Sequence, residues 1–343
     1  MAELRVGIVG AGLIGGKRAA AMAAADGLPG GKLIAVADIS LERAEKLASQ
    51  YGAHSTQNWE ELVHRKDLDA VIVATSNNAI PPCAAAALRA GKHVLVEKPA
   101  GRHPDDVREQ VKAAKETGRV LGVGFNHRFH PAFQKAKAII DTGKFGPLMY
   151  IRARYGHGGR IGYDKEWRAD AAIAGGGELL DQGVHLIDLC RFTGGEFDLS
   201  WGESGTYFWN MPVEDNGFMF LKSPDKKSSA FLHASCTEWK NLFDFEIFLR
   251  DAKIEIYGLG RSYGVEELRL YKMKPEMGPP DFESESFPGE DHSWQLEFNA
   301  FQKEIRGEKT HLGSIQDALK AVEIVHGVYK LSGAPFAYGG AKS

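Results

Sequence analysis

Leu4-Arg5-Val6-Gly7-Ile8-Val9-Gly10-Ala11-Gly12-Leu13-Ile14-Gly15 is the stretch on which the reading of this chain turns. Its first six residues are a short apolar run rich in β-branched side chains, which predicts a buried parallel strand. The next six match G-x-G-x-x-G, and the Ala-rich segment from Gly16 to Ala25 is a strong helix former. Strand, glycine turn and helix in that order make an otherwise weak pattern informative. Gly10 permits the tight turn, Gly12 lets a pyrophosphate approach the backbone, and Gly15 lets helix and strand pack closely. The helix N-terminus adds a dipole and unpaired N–H groups for the phosphates. This predicts a dinucleotide site.

A second strand, Lys32 to Ala37, ends at Asp38. That carboxylate lies about twenty residues beyond the glycines, where a ribose 2′-hydroxyl would be gripped. Asp38 would repel a 2′-phosphate, and Ile39 follows it rather than an arginine, so NAD is expected in preference to NADP. The competing reading makes Asp38 the N-cap of a helix from Leu41 to Gln50. Alternation continues with strands at Leu68–Thr75, Gly91–Val96 and Val120–Phe125, and helices at Pro82–Ala90 and Pro104–Thr117. Repeated β-α-β puts ligands at the carboxyl ends of the strands. Thr75-Ser76-Asn77, Glu97-Lys98-Pro99 and Asn126-His127-Arg128 fall there. Pro99 restricts Lys98 to an extended conformation, which aims its ammonium. The expected cofactor contacts are Gly10, Gly12, Leu13, Ile14, Gly15, Asp38, Ile39, Arg43, Thr75, Asn77, Glu97 and Lys98.

Further on, Gly175-Gly176-Gly177-Glu178-Leu179-Leu180-Asp181-Gln182-Gly183-Val184-His185 opens what reads as a helix. Asp181 and His185 stand four apart, on one face and a turn from each other. A carboxylate there can orient an imidazole and tune its protonation. Three glycines at a helix entrance are unfavourable by about 1 kcal/mol each relative to Ala. They make sense where backbone passes close to a ligand or adopts positive φ. An ordinary buried helix with an exposed Asp–His pair is the alternative.

At 343 residues the chain exceeds one typical core, so two domains are expected. With 43% hydrophobic and 25% charged residues, the composition is globular. A formal charge of −3 leaves no electrostatic footprint for nucleic acid or an anionic membrane. No apolar run approaches the roughly eighteen residues a membrane span needs. The early strand leaves no room for a signal peptide. Cys83, Cys190 and Cys236 are far apart with no Cys-x-x-Cys, suggesting neither a disulfide framework nor a metal site. A reducing cytoplasm is the expected compartment.

From Leu148 the pattern changes to strands with few crossovers: 148–155, 206–209, 217–221, 229–237, 243–249, 253–257 and 268–271. This predicts an antiparallel sheet with the Glu178 helix packed on it, followed by helices near 293–306 and 314–331. Pro275 to Pro288 reads as an irregular loop. Half of Phe218, Phe220, Phe231, Phe243, Phe245 and Phe248 should face the domain's own helices. The glycine-rich loop from Tyr155 to Tyr163, with His157, is expected to border a substrate pocket. Trp239 and Lys240 could stack on or reach a sugar.

With Gly10–Gly15, Gly91-Lys92-His93-Val94, Glu97-Lys98-Pro99 and Gly175–His185 in order, the chain resembles the glucose–fructose oxidoreductase / inositol dehydrogenase (Gfo/Idh/MocA) family from about residue 4 to residue 330. The resemblance implies an α/β Rossmann domain with a parallel sheet (residues 1–125). An α+β domain with a large, mostly antiparallel open sheet would follow (residues 126–343) and serve substrate binding and oligomerisation. It implies that Lys98, Asp181 and His185 meet at the nicotinamide as catalytic residues. Trp167-Arg168 resembles a pair set against the cofactor, and Asn126–Pro131 a segment bordering substrate, with Arg128 the contact. Tyr155, His157 and Trp239 complete the expected substrate set. Ile80 stands where many members have a histidine, which weakens cofactor positioning on that side. The implied activity is NAD-dependent oxidation of a secondary hydroxyl on a sugar, cyclitol or sugar derivative, or reduction of the matching ketone. The implied partner is a second copy of the chain, as a homodimer or homotetramer through the open sheet face. Alternatives are a tightly retained NAD shuttling hydride between two sugars, a redox-assisted glycosidase, and a non-catalytic NAD-binding sensor.

Overall fold

The computed structural model describes residues 3–23 and 30–334. Ala24 and Ala25, the end of the predicted Ala-rich helix, lie outside the described residues, as does the tail beyond 334. The elements run β1 (Leu4–Val9), α1 (Leu13–Ala23), β2 (Gly31–Ala37), α2 (Leu41–Ser49), β3 (His54–Thr56), α3 (Trp59–Val63), β4 (Ala70–Val73), α4 (Ile80–Arg89), β5 (His93–Val96), α5 (Pro104–Thr117), β6 (Leu121–Val123) and α6 (Pro131–Asp141). Then come β7 (Leu148–Gly156), α7 (Ala171–Ala174), α8 (Val184–Gly194), β8 (Asp198–Gly205), β9 (Asn216–Lys222), β10 (Ser229–Ser235), β11 (Leu242–Leu249), β12 (Ala252–Tyr257), β13 (Glu266–Lys272), β14 (Asp281–Phe287), α9 (Ser293–Ile305), β15 (Gly313–Ser314) and α10 (Ile315–Ser332). Two compact units result: residues 1–126 with 292–320, and residues 127–291 with 321–343. The sequence reading placed everything beyond 125 in one domain, whereas α9 and β15 group with the first unit.

In the first unit the strand order is β15-β6-β5-β4-β1-β2-β3. β1 to β6 pair in parallel, and β15 adds antiparallel to β6. β1 pairs with β2 on one side and β4 on the other, so the winding reverses there and opens a crevice at the strands' carboxyl ends. β1 buries Val6, Ile8 and Val9. Its core continues through Leu33, Val36, Ile72 and Leu95 to Met22 of α1 and to Phe298 and Phe301 of α9. β3 and β15, at three and two residues, are too short to leave a periodic signal.

The second unit holds a sheet ordered β14-β13-β12-β11-β7-β10-β9-β8, antiparallel except for the β7–β10 pair. β11 shows the alternation: Phe243, Phe245, Ile247 and Leu249 are buried, and the residues between them face the other side. On the buried face Leu179 fills the space above Gly217, where a Cβ would overlap its side chain. Two expectations are corrected. Residues 206–209 are not a strand, because the edge strand is β8, just upstream. The 275–288 stretch is not wholly irregular, since β14 pairs along all of β13. Polar side chains, characteristic of an exposed edge, hid both strands. Of the six phenylalanines, Phe243 and Phe245 point inward, while Phe218, Phe220, Phe231 and Phe248 lie on the opposite face.

Candidate active site

The glycine loop explains itself by what side chains would strike. Gly10 has φ of 101°, and a Cβ there would overlap the Ala74 carbonyl. A Cβ at Gly15 would overlap the Gly10 carbonyl, whereas Gly12 has open space beside it. Two glycines thus fold the turn onto the strand and helix, and the third leaves backbone bare for a pyrophosphate. Asp38 is fastened beside this loop: Oδ2 accepts from Ala11 N–H at 2.7 Å, and Oδ1 accepts from Ser40 N–H at 2.8 Å and from the Arg43 guanidinium. Burial pushes the Asp38 carboxyl up, but the hydrogen bonds from Ser40, Arg43 and Ala11 outweigh it and hold the group below its ordinary value. The N-cap of α2 is Ser40, not Asp38. Leu13 and Ile39 are bare, at 78% and 85% exposed, flanking the loop and the carboxylate. Thr75 hydrogen-bonds to the Ser76 carbonyl, Asn77 is buried, and Ile14 is half-buried. Ile80 starts α4 as a fully buried core residue.

Glu97, expected to contact cofactor, faces into the first unit. Its Oε1 accepts from Arg18 Nε at 2.6 Å, and Arg18 also pairs with Glu297 of α9. The Trp294 ring lies 4.4 Å from the guanidinium carbon. A Cβ at Gly124 would strike Arg18 and crowd Glu97, so only glycine leaves room for this triad. The turn after Glu97 is closed by Ala100 N–H to the Glu97 carbonyl at 3.0 Å. Gln110 Nε2 in turn donates to the Ala100 carbonyl at 2.6 Å. Lys98 rides on this braced turn, half-buried between Glu97 and Pro99, and its bond to Pro99 is cis.

In the second unit, Gly176 and Gly177 meet protein rather than open space, and Gly175 serves the turn by its positive φ. Gly175 has φ of 86° and ends α7. A Cβ at Gly176 would overlap the Tyr329 hydroxyl, and one at Gly177 the Glu214 carbonyl. The Glu214 carboxyl accepts from Gly177 N–H at 2.8 Å, Leu179 N–H at 3.0 Å and the Tyr329 hydroxyl at 2.7 Å. Burial pushes this carboxyl up to about 7 despite those donors. Glu214 was not a candidate from sequence; no local spacing links it to residue 177. The helix itself opens with one wide π turn, Leu179–Gly183, before α8. Such turns recur at functional sites. Asp181 lies in that turn and accepts from Arg168 Nε at 3.2 Å, while the Arg168 guanidinium also lies over the Trp167 ring.

His185, in the first turn of α8, is 4% exposed. Its ring is stacked on His127, with centroids 3.8 Å apart and planes 5° apart. His127 Nε2 is 3.0 Å from the Tyr155 hydroxyl, and Tyr155 hydrogen-bonds on to Tyr263. Burial, then Tyr263, hold Tyr155 well above the ordinary phenol value, so it stays protonated. Neither His127 nor Tyr263 was singled out from sequence, although the Asn126–Pro131 segment was. His157 is a clasp: Nδ1 accepts from Gly159 N–H at 2.9 Å, and Nε2 is 3.4 Å from the buried Glu178. Burial lowers its basicity, but Glu178 and then Asp181 outweigh that and raise it. Arg128 is not open to solvent. It makes a two-point ion pair with Asp188 at 2.8 and 2.6 Å inside the unit. Trp239 is 78% exposed, edge-on to Phe208. Among the described residues, no helix is long and apolar enough to cross a membrane, and no three metal-ligating side chains cluster.

Two family profiles match the chain: residues 4–125 fit "Oxidoreductase family, NAD-binding Rossmann fold", and residues 133–260 fit "GFO/IDH/MocA C-terminal domain". Levoglucosan dehydrogenase of Pseudarthrobacter phenanthrenivorans is 33% identical over 227 residues, 63% of this chain and 58% of that protein. 1,5-Anhydro-D-fructose reductase of Ensifer adhaerens is 39% identical over 165 residues, 48% of this chain and 49% of that protein. Inositol 2-dehydrogenase of Rhizobium meliloti is 30% identical over 216 residues, 62% of each. The chain spans about half the length of the curated relatives it matches. Among solved structures, a levoglucosan dehydrogenase in complex with NADH has a TM-score of 0.87 at 24% identity, over 96% of this chain and 98% of that one. An oxidoreductase domain protein from Kribbella flavida has a TM-score of 0.86 at 23% identity, over 97% and 98%. These structural likenesses speak to the fold. With profiles for both parts matched in order along the sequence, the chain belongs to the GFO/IDH/MocA oxidoreductase family.

Proposed function

We propose that the protein is an NAD-dependent oxidoreductase acting on a secondary hydroxyl of a sugar, cyclitol or sugar derivative, or on the matching ketone. The observation that carries this reading is the Asp38 carboxylate, kept ionised and tied to Ala11 beside the bare Gly12 backbone. That arrangement suits a ribose diol and disfavours a 2′-phosphate, so NAD is the proposed cofactor. Arg43 stays on Asp38 and steadies it. Leu13 and Ile39 would be covered by the nucleotide. The named relatives act on an anhydrosugar, an anhydrofructose and an inositol, which supports a carbohydrate substrate.

Bound NAD supplies the nicotinamide carbon that takes or gives the hydride. Lys98, on its braced turn, donates a hydrogen bond to the developing alkoxide, where such a donor is worth about 10²–10³ in turnover. His185 takes the hydroxyl proton. Asp181, with Arg168 on its carboxylate, orients the substrate and favours the imidazolium once formed. A second copy of the chain is proposed to cover the open sheet face, where Trp201, Phe218, Phe220, Phe231 and Phe248 lie beside the Arg152–Glu246 and Arg154–Asp244 pairs.

The test is NADH formation against a panel of anhydrosugars, inositols, free sugars, glycosides and nucleotide-sugars, with NADP in a parallel set. Turnover of one class with NAD, lost in Lys98→Ala, supports the reading. Tight NAD binding without turnover supports a retained cofactor or a sensor. No NAD binding overturns it.

A further inference from the structure

Imidazole χ2 is a broad torsion, so a histidine that must receive a proton along one direction needs something to hold its plane. For His185 that something is another ring. His127 comes from the short turn Asn126–Phe129, far from α8 in sequence, and lies flat against His185 at 3.8 Å. His127 is itself fixed on two sides. Its Nε2 meets the Tyr155 hydroxyl at 3.0 Å, and the His130 ring meets its face edge-on at 5.5 Å. Tyr155 is in turn wedged edge-on against Phe243 and Tyr263, at 5.2 and 5.0 Å. His130 is anchored by Glu266, 2.9 Å from its Nδ1. The array therefore runs from the sheet core of β7 and β11, through Tyr155 and His127, to the face of His185.

We propose that His127 is a positioning residue for His185: braced by Tyr155, its ring holds the His185 imidazole in the one plane that directs it at the substrate hydroxyl. The proposal rests on the assignment of His185 as proton acceptor. It also reassigns Tyr155, expected at the substrate, to the brace behind the imidazole pair. A misplacement of about 1 Å at such a group costs about 10²-fold in rate, so a ring that fixes the plane acts on turnover and not on affinity.

The test uses the full chain, labelled at histidine Cε1, with the His185 signal identified as the one lost in His185→Gln. His127→Leu removes the stacked ring, His127→Phe keeps a flat one, and Tyr155→Phe removes the brace. In His127→Leu the His185 signal should move downfield and broaden as the ring current of its neighbour is lost, and in His127→Phe it should stay close to wild type. On whichever panel substrate is turned over, kcat should fall about tenfold or more in His127→Leu, recover most of the loss in His127→Phe, and leave KM and NADH affinity within about twofold. Tyr155→Phe, which loses the same hydrogen bond as His127→Phe, should match that variant within about twofold. An unmoved His185 signal in His127→Leu overturns the proposal. So does a rise in KM at unchanged kcat, which would make His127 a substrate contact. Equal loss in His127→Leu and His127→Phe also overturns it. If no substrate is turned over, or His185→Gln retains full activity, the functional reading fails, and the resonance arm still decides whether His127 holds His185.

Discussion

Glu214 is a buried carboxyl with three donors on it and no cation beside it among the described partners. Its folded value near 7 stands above the ordinary 4.5, so the folded chain binds more protons than the unfolded chain between those limits. The contribution to stability is therefore full below about pH 4.5 and is lost as pH rises through about 7, with a slope up to about 1.4 kcal/mol per pH unit. Chemical denaturation of Glu214→Gln from pH 5 to 8 should show a flatter profile than wild type; parallel profiles would refute the assignment. Asp38 works in the opposite sense, since its low value keeps it charged where NAD would bind. Asp38→Ala should move the ratio of NAD to NADP use toward NADP by about tenfold or more, read from kcat/KM with each cofactor. Individual chemistry was legible in the sequence wherever spacing was local. Gly10, Gly12, Gly15 and Asp38 could be read from one βαβ unit. Glu214, Tyr329 and Tyr263 could not, because they meet their partners across long loops that no periodicity encodes.

At the scale of elements, the glycine triplet before α8 illustrates a right residue choice with a different cause. Positive φ was expected and holds at Gly175. Close approach was expected to a ligand, but Gly176 and Gly177 are instead pressed against Tyr329 and Glu214. Gly177→Ala should displace the π turn that carries Asp181. A loss of 1–3 kcal/mol, the usual range for overpacking, is expected (about 2 kcal/mol by denaturant titration). The same logic applies to the turn bearing Lys98. Arg18 sits between two carboxylates in a fully buried place, so Arg18→Met strands both. Removing one partner of a buried ion pair costs about 3–5 kcal/mol, and the unfolding midpoint should drop accordingly. An unchanged midpoint would mean that the triad contributes nothing to holding this turn. β1 and α5 matched their expected bounds because apolar period and caps agreed there, down to Pro104 in the first turn and Gly118 at the end. β8 and β14 were missed because polar edge strands carry no buried-face alternation.

At the scale of the whole molecule, the open face of the larger sheet carries both a charged ladder and an aromatic group. The ring pairs Tyr150–Phe248 and Phe218–His233 are stacked at 4.2 and 4.3 Å. Phe231→Glu, in the middle of β10, should split the proposed oligomer, read as a fall in mass by sedimentation, while leaving the far-ultraviolet spectrum unchanged. An unaltered mass would place the interface elsewhere. The two-part architecture was legible from the change of period near Leu148. The return of residues 292–320 to the first unit was not, because a helix of mixed composition does not announce which sheet it covers.

That return has a consequence for how the chain is made. Phe298 and Phe301 belong to the core of the first unit, and Glu297 completes the ion pair around Arg18. When residue 126 leaves the ribosome, the core of the first unit still lacks Phe298 and Phe301. At about 5–20 residues per second, roughly nine to thirty-five seconds pass before those side chains emerge in turn. During that interval the larger sheet emerges first, and the core that Phe298 and Phe301 complete waits open to a chaperone or a neighbouring nascent chain.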